Sequence, residues 1–207
     1  LKMALQYWRN KGNTKKNRFL SLEHAYHGDT IGAMSIGYVP QYFRPYKSIL
    51  RLSKRIPPPE SITLLNSRQC IDQEYSEGLE KIFSRYSTTC CAMVMESGAQ
   101  IAGGVNVYPK GFQKTISELC HKYGMLLILD EIATGFGRLG NMVEYLAQRS
   151  NPDIVCLGKA LTGGYSPLAV TLCRNEIYAN FLSDYSENKQ LFHGHTYTGH
   201  PVGCSAA

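Results

Sequence analysis

The apolar run "MLLILDE", residues 125–131, ends in two acids, and further along a lysine stands in "DIVCLGKALTGGY". A carboxylate closing a buried strand is costly unless it has a partner. Taken alone, Asp130 reads equally as a helix N-cap or as the ion-pair partner of Arg138. Lys159 offers a sharper chemistry. A lysine in a partly desolvated pocket gives up its proton more readily and becomes a nucleophile toward carbonyls. A nearby acid can anchor a cationic ring nitrogen. Together the two residues suggest a Schiff-base lysine and the partner of a pyridinium nitrogen, the arrangement used with pyridoxal 5'-phosphate (PLP).

These residues need elements that bring them to one place. "RFLSLE", "CCAMVME", "MLLILDE", "DIVCLG" and "PLAVTLC" have the length and composition of buried strands. Helical spacing appears between them. "LKMALQYWRNKG" reads as a helix ending at Gly12. "SEGLEKIFSRYS" aligns Leu79, Ile82, Phe83 and Tyr86, and "GFQKTISELCHKYG" aligns Phe112, Ile116, Leu119 and Tyr123, with Gly124 as its C-cap. "NMVEYLAQRS" gives a shorter helix. The alternation predicts an α/β fold: a doubly wound, mostly parallel sheet flanked by helices. Residues 38–62 are expected to be irregular and on the surface. No repeat or linker divides the chain.

In open sheets of this kind ligands bind outside the carboxyl ends of the strands. His24, Tyr26, His27, Gly28 and Asp29 follow the first strand, Glu96 the second, Asp130 and Glu131 the third, and Lys159 the fourth. Spacing therefore puts Asp130 and Lys159 on one rim, one crossover apart.

The composition narrows the class. With 207 residues, 43% hydrophobic and 18% charged, the chain is globular. The net charge of +6 is scattered, with a small cluster at Lys15, Lys16 and Arg18, so no nucleic-acid partner is expected. No apolar run reaches the roughly 18 residues that span a membrane. Seven cysteines without a C-x-x-C pair are expected to be reduced, mostly buried thiols of a cytoplasmic protein. His24 and His27 form H-x-x-H, but on an expected loop without a third ligand, so no metal site is expected. Gly135, Gly137 and Arg138 hint at a phosphate loop, yet G-x-G alone is a weak signal. His193 and His195 are expected to be structural.

"HAYHGDTIGAMS", "ILDEIATGFGRLG", "CLGKALTGGYSPLAV" and "HGHTYTGHP" resemble the signature segments of class III aminotransferases, which are fold-type I PLP enzymes. Within that family the wording is similar to the branch that aminates 8-amino-7-oxononanoate in biotin synthesis, usually with S-adenosylmethionine as amino donor. A lysine-using variant, other members acting on ornithine, 4-aminobutyrate or similar amines, and a non-catalytic fragment of the same fold are the alternatives. The resemblance runs over nearly the whole chain and implies that residues 1–207 are part of the PLP-binding large domain.

It also implies roles. Lys159 would hold the cofactor and shuttle the proton. Asp130 would pair with the pyridine nitrogen. Tyr26 and Ile132 would cover the two ring faces. Thr196, supplied by the neighbouring subunit of a homodimer with shared sites, would bind the phosphate. Asp29 and Gly194, with Tyr26, would lie near the amino-oxononanoate substrate, and Glu96 and Gln100 near the cofactor hydroxyl. The sequence departs from the usual pattern at Ser97, where proline often stands, at Leu139 in place of threonine, and at His200 in place of asparagine. None of these is a catalytic group. The family's phosphate-binding turn would precede Leu1, and its substrate-carboxylate arginine would lie beyond Ala207.

Overall fold

The computed structural model describes residues 1–60 and 70–207. Among them, eight strands form: β1 (Arg18–Leu22), β2 (Lys54–Ile56), β3 (Cys90–Glu96), β4 (Ala99–Gln100), β5 (Asn106–Val107), β6 (Leu126–Asp130), β7 (Ile154–Leu157) and β8 (Val170–Cys173). The helices are α1 (Lys2–Asn10), α2 (Ile31–Ile36), α3 (Pro40–Phe43), α4 (Gln73–Tyr86), α5 (Phe112–Lys122), α6 (Glu144–Ala147), α7 (Asn175–Ala179) and α8 (Pro201–Ala206). The main sheet has the order β2-β1-β3-β6-β7-β8, and β4 pairs with β5 in a separate small hairpin. The pairs from β2 to β7 are parallel.

The strand sequences explain the layers. Alternate side chains leave opposite faces of a strand. Leu20, Met93, Met95, Leu127 and Leu129 therefore meet Leu79 and Phe83 of α4 and Phe112 and Ile116 of α5. Ala92, Val94, Leu126 and Ile128 face the other way, onto Ala4 and Tyr7 of α1, Ile36 of α2 and Ile177 of α7. Both faces are covered, so the central strands read as continuous apolar runs. Asp72 caps α4 by accepting from Tyr75 N at 2.7 Å, and Gly124 turns the chain after α5 at φ +59°.

The fold departs from expectation in three places. β8 runs antiparallel to β7; the link between them holds only a 3-10 turn, Lys159–Thr162, and not the helix that usually carries a parallel crossover. "NMVEYLAQRS" forms a single helical turn, α6. Residues 38–60 are not a loose surface segment: they carry α3, a 3-10 turn (Arg44–Ile49) and β2, and they bury Tyr38, Val39, Phe43 and Ile56. A three-residue strand is too short to show alternation, which is why its spacing is silent. Residues 61 and 62 of that stretch lie outside the described residues. The thiols are also less uniformly buried than expected: Cys90, Cys91 and Cys120 are buried, while Cys70 and Cys204 are exposed.

Candidate active site

The carboxyl ends of β1, β3, β6 and β7 converge on a cavity of about 200 Å³, whose wall includes Tyr26, His27, Glu96, Asp130, Ile132 and Lys159. Register explains the convergence. Glu96 pairs with Asp130 across β3 and β6, and Asp130 pairs with Cys156 across β6 and β7, two residues before Gly158.

Asp130 is held from two sides. Its Oδ1 accepts from Ile132 N at 3.0 Å, and its Oδ2 lies 2.8 Å from His27 Nδ1. Only 12% of the Asp130 side chain and 6% of the His27 side chain is exposed, so each needs the other. A carboxylate accepts, so Nδ1 of His27 carries the proton. His27 Nε2 is buried and has no partner among the described residues. Arg138 is not the partner of Asp130; His27 is. The spacing H-x-x-H draws attention to His27 as a metal ligand, whereas its place on the loop after β1, two strands from β6 on the same rim, is the informative signal. Among the described residues, no three His, Cys, Asp or Glu side chains are grouped to hold a metal ion.

Glu96 joins two loops over the cavity. Its Oε1 accepts from Tyr26 N at 3.2 Å and its Oε2 from Ile101 N at 2.8 Å. Burial pushes its carboxyl above the usual carboxylate range, and the two N–H bonds oppose that rise. The loops touch so closely that a Cβ on Gly103 would collide with the His24 carbonyl oxygen, so only glycine fits there. Tyr26 stacks on Phe43 with ring centroids 6.0 Å apart, and its hydroxyl donates to Asp29 Oδ1 at 3.0 Å. Burial, and then that bond to a carboxylate, raise the phenol above its usual pKa.

Lys159 opens the 3-10 turn with a left-handed backbone, φ +46°. For a residue with a Cβ this conformation is unfavourable, and such strain collects at functional positions. Its side chain is exposed rather than desolvated, because two hollows open beside it. One is the cavity with Asp130. The other, about 1250 Å³ and open to solvent, is lined by Thr162, Ser166, Gly194 and Thr196 as well as Lys159. The donor set fits PLP: a carboxylate for the ring nitrogen, an unpartnered lysine for the aldehyde, and Tyr26 and Ile132 on the wall.

A profile of the family "Aminotransferase class-III" matches residues 1–207. The chain belongs to the class III aminotransferase family. It is 42% identical over its whole length to an adenosylmethionine-8-amino-7-oxononanoate aminotransferase of Anoxybacillus flavithermus, of which it covers 46%. A crystal structure of the protein of that name from Methanocaldococcus jannaschii superimposes with a TM-score of 0.88 at 38% identity, over 100% of this chain and 45% of the other. An amine transaminase from an uncultivated Pseudomonas species, in its PLP-bound form, superimposes with a TM-score of 0.86 at 34% identity, over 99% of this chain and 47% of the other. The chain thus spans about half the length of the curated relatives it matches, which are named aminotransferases.

The other residues that family resemblance singled out fall outside the cavity wall. Gln100 is buried, but its Nε2 donates to Glu23 O at 2.7 Å and its Oε1 accepts from Asn106 Nδ2 at 3.2 Å. It stitches the β4–β5 hairpin to the end of β1. Asp29 is exposed and meets the site through the Tyr26 hydroxyl. Gly194 and Thr196 border the second hollow and are exposed. His193 and His195 meet edge to face, with centroids 5.1 Å apart.

Glu131 has a role that the sequence reading did not separate from that of Asp130. It is fully buried, with Oε2 accepting from Glu144 N at 2.9 Å and Oε1 from Tyr145 N at 2.6 Å. It caps α6 and closes the loop that begins at Ile132. Period-two alternation is the signal that could have split the pair: adjacent residues of one strand end point to opposite faces.

Proposed function

We propose that this chain is part of the PLP-binding large domain of a transaminase that converts 8-amino-7-oxononanoate to 7,8-diaminononanoate, with S-adenosylmethionine as amino donor. The observation that carries the reading is the meeting of Asp130 and Lys159 at one cavity, in a chain 35% to 42% identical over its whole length to proteins named for this reaction. When bound, PLP supplies a carbonyl that captures an amine and a ring that accepts the electron pair released when a proton leaves the substrate carbon.

The chain's own residues do the rest. Lys159 Nζ would hold PLP by its aldehyde and would take and return a proton at the substrate carbon. Asp130, fixed by His27 and Ile132 N, would pair with the ring nitrogen. Tyr26 and Ile132, both on the cavity wall, would pack against the ring. Glu96 fixes the loops carrying Tyr26 and Ile101, and Gln100 ties the start of the second of these to Glu23; both would lie near the cofactor hydroxyl. Gly194 and Thr196 serve the phosphate and substrate of the neighbouring site in a homodimer, and Asp29 meets the substrate beside Tyr26. A small-molecule biosynthetic reaction of this kind belongs in the cytoplasm.

A second reading, transamination of another amine, is favoured by the likeness to an amine transaminase and an omega-transaminase, at TM-scores of 0.86 and 0.82. Two experiments separate the readings. Adding PLP to the whole natural protein should produce a visible absorption band that Lys159→Ala abolishes; a folded protein without the band overturns the PLP reading and favours a non-catalytic scaffold. Rescue of a strain that needs biotin and lacks only this step supports the oxononanoate substrate, and failure to rescue supports another amine.

A further inference from the structure

Lys2, Gln6 and Asn10 follow one another at intervals of four along α1, so they share one face of the helix. That face grips the segment 180–193, which follows α7 and leads directly into the Gly194–Thr196 turn. Gln6 Nε2 donates to Lys189 O at 3.0 Å and to Gln190 O at 2.8 Å. Asn10 Nδ2 donates to Asn180 O at 3.2 Å and again to Lys189 O at 3.0 Å. Lys2 Nζ reaches Phe192 O at 2.7 Å. The carbonyls that accept these bonds belong to a segment whose only regular element is a 3-10 turn, Tyr185–Glu187.

Apolar burial holds the start of that segment, where Phe181 packs on the core, but little of the rest: Leu182, Tyr185 and Phe192 are 61%, 77% and 57% exposed. An irregular segment with few buried apolar contacts is free to take many paths unless its backbone is anchored. The anchors present are two amide side chains, each bound to two carbonyls, and the Lys2 ammonium on Phe192 O. They fix the path closely upstream of Thr196, because Gln190 stands only six residues before it. Hydrogen bonds of this kind are modest one by one, but four of them act on the same strap.

We propose that Gln6 and Asn10 are positioning residues: through segment 180–193 they set the Gly194–Thr196 turn so that it can receive a phosphate group. The proposal rests on the reading of Thr196 as a phosphate ligand. The helix face and the strap stand on one chain, so each subunit of a dimer would set its own turn, whichever subunit's cofactor that turn meets. The effect should fall mainly on the phosphate. The Asp130–Lys159 cavity does not include the strap, although Leu191 and His193 of the strap line an adjoining hollow with His27, Asp130 and Ile132.

The test uses the whole natural protein, with PLP and pyridoxal, which lacks the phosphate, as the two probes. Gln6→Met and Asn10→Leu, singly and together, remove the donors with little change in volume. Dissociation constants are read from the visible band. The expected result is that the double variant binds PLP about tenfold more weakly, each single variant about threefold, and pyridoxal as before. On a Thr196→Ala background the further loss should vanish, because the turn then has no hydroxyl to place. If Thr196→Ala leaves the preference for PLP over pyridoxal unchanged, the phosphate reading of Thr196 is wrong and the proposal goes with it. If Thr196→Ala lowers that preference but the Gln6 and Asn10 variants do not, or weaken both probes alike, the reading stands and the positioning role is overturned.

Discussion

The two ends of the main sheet bury charge in opposite ways. At the amino end the buried charged groups are consumed by the fold. Asp153 accepts from Leu127 N at 2.7 Å and lies 3.6 Å from Arg174 Nη1 and 3.9 Å from His121 Nε2. Lys16 donates to the Gly124 carbonyl and sits 4.1 Å over the Trp8 ring, and burial lowers its pKa. Trp8 in turn donates to Cys91 O at 2.9 Å. At the carboxyl end, bonding capacity is left over. Among the described residues His27 Nε2 is buried without a partner, Lys159 Nζ is exposed and bonded to no side chain or carbonyl, and the Lys159 backbone is strained. Residual capacity beside a cavity marks chemistry; the same residue types fully bonded mark architecture.

Substitutions sharpen that contrast. Lys159→Ala should reduce kcat on the order of 10⁴-fold or more while the protein stays folded, because no other amine on the wall replaces Nζ. Asp130→Asn should cost on the order of 10² to 10³-fold in kcat/KM, and about 1–3 kcal/mol of stability, since its oxygen can accept from Ile132 N but its NH2 then faces His27 Nδ1. At the amino end activity should be spared. Asp153→Ala leaves Leu127 N buried without an acceptor and should destabilise the fold by about 1–3 kcal/mol, with kcat per folded molecule unchanged. Steady-state kinetics and urea denaturation on the same three variants decide the matter. If Asp153→Ala lowered kcat as much as Asp130→Asn, the division between the two ends would collapse.

The sequence already pointed to this carboxyl rim, and for definite reasons. β3 and β6 are buried on both faces, so their apolar runs stand out, and the polar residue ending each run is then conspicuous. That logic located Glu96, Asp130 and Lys159. It did not locate the His27–Asp130 bond, which joins residues 103 apart. Nor did it assign Asp130 and Glu131: alternation separates their faces, but only register with the neighbouring strands says which face meets the cavity. Gln100, singled out by the family resemblance, has its amide bonded to Glu23 and Asn106, and no one-dimensional pattern records that. Residues 38–60 escaped because a short strand and one helical turn have no period to read.

Glu96 lies between the two categories, as a buried carboxyl that both joins loops and faces the cavity. Its folded pKa is raised, chiefly by burial. A raised carboxyl pKa means that the folded state binds the proton more tightly than the unfolded chain does. Its contribution to stability is therefore fullest below the unfolded carboxylate range and is lost as pH rises through the folded value. Wild type should gain on Glu96→Gln as the pH is lowered from 7 toward 4, a smaller change than those above. Urea midpoints of the pair at several pH values report it, and a difference that does not vary with pH would move Glu96 to the purely structural side.

The smallest expected effect tests the strain directly. Left-handed backbone costs a residue with a Cβ about 1 kcal/mol, and glycine avoids that cost. Both Lys159→Ala and Lys159→Gly remove the amine, so the two variants should be equally inactive. They should differ in stability, with the glycine variant more stable than the alanine variant by up to about 1 kcal/mol, reduced by the greater freedom of glycine in the unfolded chain. At the amino end no such gain is available: Asp153 lies in ordinary backbone, so Asp153→Gly should be no more stable than Asp153→Ala. If glycine stabilised neither position, the turn at Lys159 would be relaxed, and the reactive end would differ from the architectural end only in its unspent hydrogen-bonding capacity. If it stabilises Lys159 alone, the fold gives up stability at the residue proposed to carry the chemistry.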